Sequence, residues 1–330
     1  MPTDYRLPTT DYRPDYRLLK RITIALAFLF VFTAAFSQLH LVYSQKFFEV
    51  TGEAKWVWAH HRMSDDVPLA FFAARDVVLP ERRRYTFLKI LGDPEYTLFV
   101  NGRQLAARRI DAEDRQIDFY DLSSVVKTGR NRIVVAVRAN KGVGGLIAAV
   151  DIGPETENWI VTDDTWRIFR TWDPQILVHD PPQLAWESPV IVGEPPIGRW
   201  NFLPAKKREF DAMPATLLAP KEAFALKAKL PMIRTVSGVA VAVAEQQRAN
   251  AFDFGFTRGH IRVTLDKPQA IGSRAVIVRT ANLREELNAI EWNTRSLVFA
   301  PGEQAVVTPD EESFRYVLVY GVGARAEVVR

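Results

Sequence analysis

Apolar positions divide this chain into three unlike parts. From Ile22 to Val42 they form an almost unbroken run behind Lys20 and Arg21, which as a helix rising 1.5 Å per residue reaches about 30 Å, the thickness of a bilayer's hydrocarbon core. Residues 1–21 form a polar arm. Beyond residue 54 the pattern changes to short, alternating, β-branched and aromatic runs divided by turn residues, the signature of antiparallel sandwiches. The alternation predicts strands over 54–59, 70–79, 84–91, 96–100, 104–107, 116–121, 132–139 and 146–152, with Asn101-Gly102 as a two-residue hairpin turn. A brief helical turn is expected over 122–127, ending near Gly129. A proline-rich stretch, 173–204, precedes a second set of strands over 223–230, 236–244, 251–254, 259–265, 273–279, 296–299 and 313–320. The expected architecture is therefore mainly β. One N-terminal transmembrane helix is followed by two antiparallel, jelly-roll-like β-sandwich domains, divided as arm 1–21, helix 22–43, first sandwich 44–203 and second sandwich 204–330.

Charge orients the apolar run. Arg13, Arg17, Lys20 and Arg21 precede it and only Lys46 and Glu49 follow closely, so the positive-inside rule predicts a single pass through an inner membrane, N-terminus cytoplasmic and sandwiches periplasmic. A secretory signal peptide is the alternative, with Thr33-Ala-Ala-Phe-Ser37 as its small-residue end. The retained anchor is favoured because apolar character resumes at Leu39, Leu41 and Val42. Tyr43, Phe47 and Phe48 then fall at the outer interface, where aromatic rings are enriched.

Composition narrows the chemistry. The 43 Lys+Arg against 39 Asp+Glu give a formal charge of +4, which demands neither nucleic acid nor a strongly acidic partner. Cysteine is absent, which removes disulfides, thiolate nucleophiles, iron–sulfur clusters and covalent haem attachment. The arm repeats Asp-Tyr-Arg at Asp4-Tyr5-Arg6, Asp11-Tyr12-Arg13 and Asp15-Tyr16-Arg17. It is either a disordered tail whose arginines meet anionic lipid or an extended peptide docked on a neighbouring subunit through Tyr5, Arg6, Tyr12, Arg13, Tyr16 and Arg17. His40 is the titratable side chain within the apolar run. It is a candidate pigment or haem ligand, or a contact to headgroups or a partner helix.

Several motifs resemble those of a known family. Tyr96-Thr-Leu-Phe-Val-Asn-Gly102, Phe119-Tyr-Asp-Leu122, Val126-Lys-Thr-Gly-Arg-Asn131, Ile133 to Asn140 with Gly145-Leu146, and Thr162-Asp-Asp-Thr-Trp166 occur in sequence order. Together with Trp56-Val-Trp58 and the 186–200 stretch, they resemble the galactose-binding-like jelly roll of α-L-rhamnosidase-type glycoside hydrolases. Phe252-Asp-Phe-Gly255, Gly259 to Val263 and Phe314 to Val319 resemble the β-sandwich that follows it there. The resemblance implies the non-catalytic half of such an enzyme, because the helical barrel that carries the family's catalytic carboxylates would begin where these 330 residues end.

Other constellations have structural explanations. Asp163-Asp164 and Asp65-Asp66 read as turns, since adjacent strand residues point to opposite faces and do not flank one glycosidic bond. His60-His61 diverge for the same reason, and His179 and His260 stand isolated. Gly142-Val-Gly-Gly145 and Gly321-Val-Gly323 lack the lysine and helix of a phosphate loop. Trp56, Trp58 and Trp172 are candidates for a sugar-stacking platform, with core packing the competing explanation. The expected function is a non-catalytic accessory subunit of a membrane complex of respiratory, photosynthetic or transport type, needing no cofactor of its own. The alternative is a membrane-tethered carbohydrate-binding module for cell-wall or surface glycans.

Overall fold

The computed structural model describes residues 16–60, 67–79, 85–113, 115–152, 158–200, 203–211, 216–236, 238–289, 294–321 and 323–330. Helix α1 (Tyr16–Thr51) runs beyond the predicted 22–43 at both ends, because no proline or glycine lies between Pro14 and Gly52 to stop it. Gly52, at φ 57, supplies the left-handed stop. The 24 residues Tyr16–Leu39 are long and apolar enough to cross a bilayer, and the side chains described in this stretch are exposed. A membrane span and a signal sequence share these properties. The other end of α1 docks: Val50 packs beside Trp56 and Trp200.

The first body contains β1 (Trp56–Trp58), β2 (Leu69–Leu79), β3 (Thr86–Asp93), β4 (Glu95–Val100), β5 (Arg103–Arg109), β6 (Ile117–Asp121), β7 (Gly129–Ala139), β8 (Gly145–Ile152), β9 (Asn158–Val161), β10 (Arg167–Phe169), β11 (Val190–Gly193) and β12 (Ala205–Arg208). One sheet has the order β11-β1-β8-β3-β6-β12 with β9 beside β8, and the facing sheet is β10-β2-β7-β4-β5. Pairing is antiparallel except for β12 on β6. The inward residues Trp58, Phe71, Leu98, Val135 and Ala148 share one core. Asn101 (φ 51) and Gly102 (φ 84) make the predicted hairpin turn. The Asn101 side chain fastens it, accepting the Arg132 N–H at 3.0 Å and donating to Asn131 Oδ1 at 3.0 Å. Residues 122–127 form turns rather than a helix, with Leu122 O accepting from both Val125 and Val126.

The second body contains β13 (Leu217–Leu218), β14 (Glu222–Val236), β15 (Val239–Leu265), β16 (Arg274–Ala281), β17 (Thr294–Phe299), β18 (Ala305–Val307), β19 (Glu312–Tyr320) and β20 (Ala324–Val329). Two predicted strands, 251–254 and 259–265, and all but the first residues of a third, 236–244, are parts of the 27-residue β15. This strand serves two layers. Its first half pairs with β14 and β19, and its second with β18 and β20. The crossing is a bulge, where Asp253 pairs with Tyr316 and Thr257 with Phe314. Gly255 occupies it at φ 69.

The outer face of β2, β7 and β4 is apolar as well. Ala70, Phe72, Ala74, Val134 and Ala136 join Val298 and Ala300 of the second body in one buried cluster. That second burial explains why β2 and β7 read as near-continuous apolar runs.

Candidate functional site

Two features stand out from the fold: a cleft where the bodies meet, and a ribbon that projects from the second one. The cleft, about 210 Å³, lies between the outward face of β4 and β5 and the strand β18. Phe72, Phe99 and Trp172 supply its apolar wall, and Gln104, Asp211 and His260 its polar one. Trp172 packs on Phe72 with ring centroids 4.9 Å apart, and its backbone N–H donates to Pro301 O at 2.7 Å. Gly302 makes that approach possible, since a Cβ there would stand 2.5 Å from Trp172 O. His260 is fixed through Nδ1, 2.9 Å from Thr308 O. A carbonyl only accepts, so Nδ1 donates this hydrogen bond. Asp211 accepts the Ala107 N–H through Oδ2 at 2.6 Å.

A buried ion pair lies at the cleft's base. Glu303 meets the Arg138 guanidinium bidentately, at 2.6 and 2.7 Å, and also accepts the Ala300 N–H at 2.8 Å. Arg138 donates to Val298 O at 2.6 Å as well, so the cation is fully engaged across the junction. On the same outward face, the half-buried Glu95 has its pKa raised to about 7. Burial is the main cause, with Asp310 adding to it and Arg138, Arg109 and Arg295 opposing.

The ribbon is the distal part of the β14–β15 hairpin. β14 pairs with β15 continuously, from Glu222 with Asp253 to Val236 with Val239. The next strand, β19, begins its pairing only at Ala249. Among the described residues, 239–247 thus pair with β14 alone, as a two-stranded arm about 30 Å long at 3.3 Å per residue. Its sequence from Leu230 to Ala244 holds one charged residue, Arg234. Ala240, Val241, Ala242 and Ala244 are exposed.

The residues singled out from sequence fare unequally. Trp172 lines the cleft, but Trp56 and Trp58 are 0% and 1% exposed and present no face to a sugar. Trp56 stacks on Trp200 at 4.4 Å. Trp58 meets Phe71 edge-on and donates to Gly142 O at 3.1 Å. Core packing claims both because β1 lies between β11 and β8 and is covered on its two sides. Tyr16 and Arg17 sit exposed at the start of α1, whereas Tyr5, Arg6, Tyr12 and Arg13 lie outside the described residues. His40 is within α1, and its side chain lies outside the described set, as do His61, Asp65 and Asp66. Asp163 turns the chain by accepting the Thr165 N–H at 2.9 Å. Gln104, Asp211 and His260 carried no signal in the sequence, being far apart along it and brought together only by the junction.

The family motifs have structural duties. Tyr96 Oη donates to Asp118 Oδ2 at 2.6 Å, Asp118 Oδ1 accepts from Arg208 Nε at 2.7 Å, and the cluster is buried between the two sheets.

No protein-family model matches the chain, and no curated protein matches it. Among solved structures, the chain is similar to a GH78-family rhamnosidase of Bacillus sp. GL1, with 14% identity, a TM-score of 0.52, and coverage of 84% of this chain and 54% of that one. It is also similar to α-L-rhamnosidases from Dictyoglomus thermophilum (15% identity, TM-score 0.49, 84% and 35% covered) and Aspergillus terreus (12%, 0.46, 84% and 36%). The chain thus spans about half or less of these enzymes' length. At these identities the likeness is one of fold, and at that level the resemblance to rhamnosidase β-domains holds.

Proposed function

We propose that the protein is a non-catalytic accessory subunit of a larger membrane assembly, held by α1 and joined to its partners through its β-domains on the outer side of the membrane. The observation that carries this reading is the open apolar ribbon. A two-stranded hairpin is marginally stable by itself, and one whose edges pair with no further strand among the described residues, with apolar side chains exposed, invites pairing or aggregation unless something covers it. The bilayer core is a poor cover, because it leaves the strand edges without hydrogen-bond partners; a protein surface satisfies both edges and side chains. The apolar run of α1 offers a second contact within the membrane, and His40 is the titratable residue of that run. Complexes of respiratory, photosynthetic or transport type are the class that such a subunit fits.

The test is affinity purification of the tagged full chain from native membranes in mild detergent, beside a Val241→Asp variant. Val241 is 40% exposed, so the substitution should change folding stability by no more than about 0.5 kcal/mol. A stoichiometric set of membrane subunits with the wild type, depleted with the variant, is expected. Wild-type chain emerging alone sinks the reading. A second reading, a membrane-tethered carbohydrate-binding module, draws its support from Trp172 in the cleft and needs no partner for α1.

A further inference from the structure

We propose that the junction cleft binds a single neutral, hydroxyl-rich ring, the size of one pyranose unit of a glycan. Volume sets the scale: about 210 Å³ is below the 300–1,000 Å³ of pockets for drug-sized molecules, so one ring fits and an extended ligand does not. The two walls set the chemistry. Phe99 and Trp172, backed by the buried Phe72, offer the apolar surface against which the C–H side of a saturated ring packs. Beside them the lining carries hydrogen-bonding groups: the His260 ring, held at Nδ1 by Thr308 O, the Asp211 carboxylate and the Gln104 amide. A carboxylate, an imidazole and an amide together ask for a partner that both donates and accepts, and a hydroxyl does both.

Charge excludes the other small-ligand classes. Arg138 is the cation of the lining, and Glu303 and Val298 O already occupy it. An anionic ligand therefore finds no free positive group and meets Asp211 instead. A purely apolar ligand would strip water from the Asp211 carboxylate and the His260 ring and offer nothing in its place beyond the bonds they already make to the Ala107 N–H and Thr308 O. The site lies between two bodies, a common position for ligand pockets, and is assembled from β2, β4, β5, β15 and the segments after β10 and β12.

This inference rests on the cleft and the second reading alone, and its failure would leave the assembly test of the accessory role untouched. The experiment is ligand-observed saturation-transfer NMR on the full chain in lipid nanodiscs, since alkyl-glycoside detergents would themselves compete. The probes are free galactose, glucose, mannose and rhamnose at about 10 mM, with galacturonate as the anionic counterpart. At least one neutral sugar should show transfer, with galacturonate weaker. Trp172→Ala should weaken it about ten-fold and Gln104→Ala about three-fold. Gln104 lies on an edge strand outside the cores, so its variant keeps the test informative if Trp172→Ala unfolds. No transfer from any neutral sugar, galacturonate binding at least as well, or wild-type affinity in Gln104→Ala would each overturn the assignment.

Discussion

At Gly144 a Cβ would stand 2.2 Å from the Trp58 ring and 2.3 Å from the Asp93 carbonyl oxygen, and at Gly145 2.6 Å from the Trp200 ring. These two glycines let the two tryptophans close the core beside β8. The Asp93 carboxylate completes the corner, accepting Trp200 Nε1–H at 2.7 Å and Arg115 and Arg199 at 3.1 Å each. Because Asp93 O is backbone and Trp58 is 1% exposed, neither neighbour of Gly144 can step aside. Gly144→Ala should lose about 2–3 kcal/mol of stability, within the range for overpacked cores, read as a lower denaturant midpoint at unchanged slope. The turn itself was legible as Gly142-Val-Gly-Gly145. Its cause was not, because Trp58 and Trp200 reach it from positions far away in the chain.

At the scale of elements, β15 shows where period-2 reading fails. The alternation breaks at Phe254–Phe256, which divides one strand into predicted pieces, yet the break is a bulge inside continuous pairing. Asp253 holds it, accepting the Gly255 N–H at 2.7 Å and Arg315 at 2.9 Å. The φ of 69° at Gly255 costs an L-residue about 1–2 kcal/mol, and the Lys221 ammonium that a Cβ would meet at 2.6 Å is the free end of a flexible chain. Gly255→Ala should therefore lower stability by about 1–2 kcal/mol, whereas Gly255→Asn, which tolerates the left-handed region, should lose less. Equal losses for the two variants in equilibrium unfolding would argue against conformational strain as the cause. The ribbon beyond Ala249 belongs to this scale too. Its β-branched and alanine-rich sequence made a strand predictable, but only the start of β19 pairing shows that no third strand lies beside it among the described residues.

At the scale of the whole molecule, the two bodies are joined by a buried apolar cluster and by the Arg138–Glu303 pair. Glu95 adds a pH-sensitive element to this junction. In the unfolded chain its carboxyl ionises near the ordinary 4.5, and in the folded protein near 7, so the folded state holds the proton longer. The resulting penalty on folding is absent below about pH 4.5, grows as pH rises, and is complete above about pH 7. Glu95→Gln should remove it: the variant should gain thermal stability over wild type at about pH 8 and little at about pH 4. An unchanged difference between the two proteins across that window would show that Glu95 is not the source.

The amino-acid sequence by itself determined the mainly β architecture, the apolar helix, most strand positions of the first body and the Asn101-Gly102 hairpin, because each depends on periodicity or turn chemistry within a few residues. Tertiary structure alone decided which tryptophans are core and which line a cleft: Trp56, Trp58 and Trp172 are the same residue type, and burial depends on what the rest of the chain packs against them. It also decided the junction, where Gln104, Asp211 and His260 converge although each is locally unremarked. Contacts between residues a hundred positions apart leave no local pattern to read, and the cleft is made of such contacts.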